Sequence, residues 1–316
     1  MKKVLILGGS VFIGKALAKH FIENGDDVYV LNRGNHPCIE GAKQLIADRN
    51  DQVQFNEAIA DEKFDIVIDG SAYIPEQTQI SVDKFRGNVD HYVHLSTATV
   101  YEEGQLQPYK EDESKIGSAK SWGQYSTDKI ACEKILFSEY KENGFPMSIV
   151  RPFYVYGNEN NLDRESYVFS RIVKGLPIIV PGRGECKLQF GHIDDLCEAI
   201  YKIANTDKSI GEAYNVSGEI TTFADWIRTC GKVLEIEPKM ILVNSSEIGH
   251  KSREWFPFRD IDMIGDISKI ESGLGIKPKY NLYRGLEEVA SHHTNDEWAE
   301  MANISGVELR IINELE

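Results

Sequence analysis

The chain has 316 residues with 35 basic and 50 acidic side chains, a formal net charge of −15. Hydrophobic residues make up 41% and charged residues 27%, too apolar a balance for a disordered chain and ordinary for a globular one. So large an acidic excess disfavours general binding to nucleic acid or anionic membrane, which needs a basic face, yet allows a small anion in a locally basic pocket. At roughly 150 residues per domain, the length fits one large domain or two.

Met1-Lys2-Lys3 leads into four apolar residues, 4–7, and then a glycine pair. That run is shorter than a signal-peptide core and far shorter than the roughly 18 apolar residues of a membrane span, so a cytoplasmic protein off the membrane is expected. Cys38, Cys132, Cys186, Cys197 and Cys230 are widely spaced and form no C-x-x-C pair. They read as reduced thiols rather than disulfides or zinc ligands, and no metal site is expected.

Residues 4–7, 27–31, 44–47, 64–69 and 92–95 are short β-rich runs, most without polar alternation, as in strands buried on both faces. Helical spacing fills 13–24, where Leu17, Ala18 and Phe21 share a face and Asn24-Gly25 supplies the stop. It returns over 123–143, ends at Asn143-Gly144, and is followed by a strand at 148–150 closed by Arg151-Pro152. Strands alternating with helices predict an α/β fold, a Rossmann-type doubly wound parallel sheet over 1–157 with return segments near 188–217. Beyond 157 the texture is mixed, with helices near 194–205 and 223–233 and a strand at 213–216. Residues 158–316 are expected to form mainly a smaller, mixed α/β substrate-binding domain.

The stretch Gly8-Gly9-Ser10-Val11-Phe12-Ile13-Gly14 lies between the first strand and the first helix. Glycines in such a turn let the backbone approach a pyrophosphate, whose charge sits on the helix N-terminus. Gly8 and Gly14 take the outer places of a G-x-x-G-x-x-G pattern, and Val11 fills the middle one. The second strand ends at Asn32-Arg33, with no acidic residue to bind the adenosine ribose and repel a 2′-phosphate. A guanidinium suits that phosphate, so NADP is favoured over NAD.

Ser96-Thr97-Ala98-Thr99-Val100-Tyr101 follows the fifth strand, and Tyr125 and Lys129 lie four apart on the next helix, sharing one face. A neighbouring ammonium would lower the phenol pKa towards working pH and make Tyr125 a usable acid–base. These motifs in this order, with Arg151-Pro152-Phe153-Tyr154-Val155-Tyr156-Gly157 and the segment around His192, resemble the extended short-chain dehydrogenases/reductases, the NAD(P)-dependent epimerase/dehydratase family. The resemblance implies a catalytic set of Thr97, Tyr125 and Lys129, with Thr97 bonding the substrate oxygen and Lys129 also holding the nicotinamide ribose. It implies cofactor contacts from Gly8, Ser10, Val11, Phe12, Ile13, Gly14, Asn32 and Arg33. The same holds for Asp48 and Arg49 after the third strand, for Gly70, Ser71 and Ala72 after the fourth, and for Ser96 and Pro152. It places Tyr73, Thr97, Tyr154 and Arg259 against substrate, and His192 reads as structural.

Departures from the family pattern narrow the branch. Ala98-Thr99 follows Thr97 where dehydratases carry an acidic pair, which disfavours a sugar 4,6-dehydratase and leaves an epimerase or carbonyl reductase. Leu188 stands where an arginine usually grips a nucleotide-sugar diphosphate, and Tyr154 replaces the usual asparagine. The substrate expected is therefore sugar-nucleotide-like or a related small hydroxy or keto compound. The segments 189–192, 213–218 and 256–260 resemble the plastid stem–loop RNA-binding proteins and their bacterial relatives. A stem–loop RNA-binding or endoribonuclease-like protein, or a non-catalytic dinucleotide sensor, is thus the alternative, although the net charge and the retained Tyr125 and Lys129 speak against RNA. The short stretch 72–92 between the fourth and fifth strands implies a monomer or an atypical, weakened dimer.

Overall fold

The computed structural model describes residues 1–117, 119–245 and 247–315. In chain order the elements are β1 (Lys3–Leu7), α1 (Phe12–Glu23), β2 (Asp27–Asn32), β3 (Lys43–Ile46), α2 (Gln52–Ile59), β4 (Phe64–Asp69), α3 (Pro75–Phe85), β5 (Val89–Leu95), α4 (Gln124–Asn143), β6 (Met147–Pro152), β7 (Tyr154–Tyr156) and α5 (Glu165–Lys174). There follow β8 (Ile178–Pro181), β9 (Lys187–His192), α6 (Ile193–Ala204), β10 (Ala213–Val216), β11 (Glu219–Thr222), α7 (Phe223–Leu234), β12 (Met240–Val243), α8 (Ser268–Leu274), α9 (Leu282–Ser291), α10 (Asn295–Met301) and α11 (Gly306–Leu315).

The chain divides into two compact units, one of Met1–Phe153, Ile193–Ser217 and Gly265–Lys277 and another of the remaining segments. The first unit is a Rossmann-type α/β fold, a seven-stranded sheet in the order β10-β6-β5-β4-β1-β2-β3. Every pairing in it is parallel. The sequence boundary at 157 moves to Phe153, 188–192 belongs to the second unit, and 265–277 is a return to the first that no sequence pattern announces.

The central strands are apolar because both faces are covered: Val4, Leu5, Ile6 and Leu7, like Ile66, Val67 and Ile68, are fully buried. Leu5, Leu7, Val67, Phe55, Phe85, Tyr92 and Ile149 belong to one core cluster. Strand order reverses between β1 and β4, and the crevice at their carboxyl ends is where open sheets of this kind bind ligands. Helix α2 is capped by Asp51, whose carboxylate accepts the Val53 and Gln54 N–H groups. Helix α4 ends in a left-handed Gly144, with Phe145 N–H returning to Glu139 O. The short connection from β4 to β5 carries the three-turn helix α3, packed beside α4.

The second unit, taken by itself, holds a three-stranded sheet β11-β9-β7, a two-stranded pair β12-β8, and helices α5, α7, α9, α10 and α11. Its core is aromatic: Phe190 stacks on Trp226 at 5.5 Å, and Phe258 meets Trp226 edge-on at 5.1 Å. Among the described residues, no helix is long and apolar enough to cross a membrane.

Candidate functional site

The Gly8–Gly14 turn sits at the carboxyl end of β1, and its outer glycines are required by packing. Gly8 has φ +88°, and a Cβ there would stand 2.5 Å from the Cβ of Ser71; a Cβ on Gly14 would stand 2.2 Å from the carbonyl oxygen of Gly8. Val11 needs no glycine, since its backbone is extended (φ −136°, ψ 144°). Its side chain is 41% exposed and faces the cavity described below. Phe12 instead carries the strained backbone, with φ 39° at the first helical position. Val11 gives α1 no side-chain cap, and the buried Ser10 hydroxyl has no hydrogen-bond partner among the described residues. Uncapped N–H groups and an idle hydroxyl at a helix N-terminus suit an anion.

A cavity of about 410 Å³ opens on this turn. Its walls bring together Gly8, Ser10 and Val11, then Asn32 and Arg33 at the end of β2, Asp48 and Arg49 after β3, and Ser71 and Tyr73 after β4. Asn35, His36, Asn50 and Gln77 also line it, residues the sequence patterns did not single out. Arg33 is exposed, while Asn32 Oδ1 accepts Gly34 N–H at 2.7 Å and Gln44 Nε2 at 2.8 Å, so that oxygen shapes the loop. Asp48 Oδ1 likewise accepts Asn50 N–H at 2.9 Å and Asn50 Nδ2 at 2.8 Å. The turn, the idle hydroxyl and a cavity without a carboxylate at the β2 end fit a dinucleotide phosphate ester.

Arg49 lines the cavity, and its guanidinium is also paired with Asp69, with Nη1 2.5 Å from Oδ1 and Nη2 2.9 Å from Oδ2. Nη1 also donates to Ser71 Oγ at 2.7 Å, and Nη2 to Gln77 O and Ser81 Oγ, both at 3.2 Å. Tyr92 OH donates to Asp69 Oδ2 at 2.6 Å. Burial alone would raise the Asp69 pKa, but the paired guanidinium holds the carboxyl well below its ordinary range. Arg49 thus braces the cavity wall through Ser71.

The Lys129 ammonium points inward and donates to Leu95 O at 2.7 Å and Ala72 O at 2.8 Å, with His94 Nε2 at 3.3 Å. It is buried, and desolvation lowers its pKa to about 8. One turn earlier Tyr125 is 39% exposed, so the shared face of α4 runs from solvent at Tyr125 into the core at Lys129 and Glu133. Ser126 anchors that helix start, donating to Thr99 O at 2.6 Å and accepting Ala119 N–H at 3.1 Å. Thr97 is buried at the end of β5 and its hydroxyl oxygen accepts Thr99 N–H at 3.3 Å.

Ser96 and Arg151 of the Arg-Pro step meet in a buried network that sequence spacing could not reveal. Ser96 Oγ donates to Glu133 Oε1 at 2.5 Å, and Arg151 donates to Glu133, to Oε1 from Nε and to Oε2 from Nη2. Arg151 Nη1 reaches Tyr101 OH at 3.0 Å, and Tyr101 OH donates to Asn215 Oδ1 at 2.7 Å. Ser96 therefore serves this brace, not the cavity. Pro152 ends β6 in the interior; Gly70 and Ala72 form the loop beside Ser71; Phe12, Ile13 and Gly14 build the turn. None of Ser96, Thr97, Tyr125, Lys129 and Pro152 lines the cavity.

In the second unit Tyr154 is buried, meeting Phe258 edge-on at 5.0 Å with the Arg164 guanidinium 5.1 Å from its ring centre. Burial pushes its hydroxyl up to about 12. That places it in an aromatic core rather than on an open wall, while Arg259 is half-buried. His192 is buried there too, stacked on Tyr280 at 3.7 Å.

A doubly wound sheet with an uncapped glycine turn at its reversal point defines a dinucleotide-binding protein class. The chain belongs to the NAD dependent epimerase/dehydratase family, whose model matches residues 4–217. It is similar to the chloroplast stem-loop binding protein of 41 kDa b of Arabidopsis thaliana, 28% identical over 307 residues, 91% of this chain and 78% of that protein. It is also similar to the UDP-N-acetyl-alpha-D-glucosaminuronate decarboxylase of Bacillus cytotoxicus, 24% identical over 325 residues, 91% of this chain and 96% of that one. Among solved structures it resembles the dTDP-glucose 4,6-dehydratase of Bacillus anthracis in complex with NAD, with a TM-score of 0.78, 16% identity and coverage of 95% and 99%. It resembles the UDP-glucose 4-epimerase of Thermotoga maritima with UDP-glucose at a TM-score of 0.74, 19% identity and coverage of 92% and 97%. At those identities the two structures show a shared fold.

Proposed function

We propose that this protein is an NAD(P)-dependent epimerase or carbonyl reductase acting on a sugar-nucleotide-like or related small hydroxy or keto substrate. The observation that carries the proposal is the cavity of about 410 Å³ opening on the Gly8–Gly14 turn at the uncapped start of α1. Ser10, Ser71 and the first-turn N–H groups would bind the dinucleotide's pyrophosphate, and Arg33 a 2′-phosphate, which favours NADP. A nicotinamide bound here would supply reversible hydride exchange. Tyr125, exposed at the head of α4, would move the proton at the substrate's hydroxyl oxygen. Thr97 would orient that oxygen, and the Lys129 ammonium one turn below would favour the ionised phenol by its charge, without a direct bond to the ribose. The working form is a monomer or atypical dimer in the cytoplasm.

Tyr125→Phe tests this reading: conversion of a panel of UDP-, dTDP- and GDP-sugars, followed as epimerised or reduced product, should fall by about two to four orders of magnitude with dinucleotide affinity retained. Unchanged turnover would refute it. The likeness to the Arabidopsis stem-loop binding protein favours a second reading, an RNA-binding protein. That reading requires stem–loop affinity falling steeply with salt, which a chain of charge −15 is poorly made to supply.

A further inference from the structure

We infer that His94 is a positioning residue for Lys129, supplying the third acceptor that keeps the ammonium turned inward against the carboxyl ends of β4 and β5. The inference rests on the proposed role of Lys129 as the charge beneath Tyr125, and it concerns a residue that none of the sequence motifs includes.

An ammonium has three N–H donors. At Lys129 they meet the carbonyl oxygens of Ala72 and Leu95 and His94 Nε2. Two of these acceptors are backbone carbonyls, Leu95 at the end of β5 and Ala72 in the loop after β4; the third is a side chain, so it alone is open to choice by sequence. His94 is fully buried on β5 and stands in register with Asp69 on β4. For Nε2 to accept, the ring proton must be on Nδ1. That nitrogen is buried without a hydrogen-bond partner among the described residues. An imidazole placed only for packing would gain nothing from this arrangement, whereas one placed to receive an ammonium must adopt it.

The surrounding charges agree with the geometry. Burial and the Lys129 charge hold the His94 pKa well below its ordinary value, so the ring is neutral and its lone pair is available. Lys129 is faced by His94 from β5, Asp69 from β4, Arg49 from the segment after β3, and Cys132 and Glu133 from its own helix, with the Tyr73 ring centre 5.9 Å away. Desolvation by these packed elements lowers Lys129, and the anionic neighbours oppose it. Removing the imidazole acceptor would leave one buried N–H unpaired and disfavour the charged amine further.

The test uses the full chain free of dinucleotide, with lysines carrying ¹³C at the ε carbon and the Lys129 resonance assigned by its loss in Lys129→Met. The wild-type resonance should titrate near pH 8. His94→Leu should raise the acid dissociation constant at least about tenfold. His94→Gln, whose Oε1 reaches the place of Nε2, should restore the wild-type midpoint, and His94→Asn, whose Oδ1 reaches only the place of Nδ1, should not. A folded His94→Leu with an unchanged midpoint overturns the inference. If His94→Leu does not fold, equal midpoints in the Gln and Asn variants overturn it. Because neither cofactor nor substrate is present, such a failure leaves the proposed reaction standing, and retained turnover in Tyr125→Phe leaves the titration result standing.

Discussion

Glu133 holds Arg151 through two hydrogen bonds, Nη2 to Oε2 at 2.7 Å and Nε to Oε1 at 3.0 Å, with both side chains buried. The pair ties α4 to β6, and through Ser96 and Tyr101 it ties both to the segment that follows β5. Tyr125 and Lys129 therefore stand on a helix whose position is set by the next acidic residue along the same face. Breaking one partner leaves a buried charge uncompensated. Glu133→Ala should lower unfolding stability by about 3–5 kcal/mol in urea denaturation. A loss below about 1 kcal/mol would mean that solvent or another group compensates Arg151.

Arg33 is an exposed cation at the β2 end of the cavity, and β2 itself ends in Asn32 rather than a carboxylate. Arg33→Ala should weaken NADPH binding about tenfold or more, the loss of one charge-assisted contact, and leave NADH binding nearly unchanged. Equal losses for both dinucleotides, measured by fluorescence titration, would remove the argument for NADP.

The strands at 4–7 and 64–69 were legible because their central residues are apolar and buried on both faces, Val4 to Leu7 in one and Ile66 to Ile68 in the other. Helix α1 was legible because Leu17, Ala18 and Phe21 repeat at helical spacing against the sheet. Helix α3 was not, because its inward face includes the polar Gln77, Thr78 and Ser81 beside Val82 and Phe85, and Gln77 and Ser81 meet the polar layer of Arg49 and Asp69. The same layer engages residues expected at the site. Asp48-Arg49 looks like one recognition unit in sequence, yet the fold brings Asp69 to Arg49 from another strand. The Tyr125–Lys129 spacing gives the shared helical face correctly but cannot show that His94 arrives beneath it.

Gly14 is a direct steric test of the turn. A side-chain carbon there would meet a backbone oxygen at 2.2 Å, which no rotamer can relieve. Gly14→Ala should displace the start of α1 and abolish dinucleotide binding, with a fall in melting temperature. Full binding by the variant would show that the turn tolerates a wider α1–β1 separation than this packing allows.

His91 sets an acid limit on stability. Its ring lies between Ala204 O at 3.1 Å and Ser148 Oγ at 2.7 Å, and burial lowers its pKa to about 4, against about 6.5 in an unfolded chain. The unfolded state therefore binds the proton first, and stability is full above about pH 6.5 and lost as pH falls towards 4. Between pH 7 and pH 5 the loss from this group should be on the order of 2 kcal/mol, and His91→Gln should remove that part of the slope. Identical slopes for the variant and the wild type, by urea denaturation at both pH values, would contradict it.

The central claim is that the Gly8–Gly14 turn and its cavity hold a nicotinamide dinucleotide. Isothermal titration of the full chain with NADP⁺ and NAD⁺ tests it most directly. Saturable binding with one dinucleotide per chain, tighter for NADP⁺, is the predicted result. No heat of binding for either up to millimolar concentration, at more than one temperature and with the protein folded, would contradict the account.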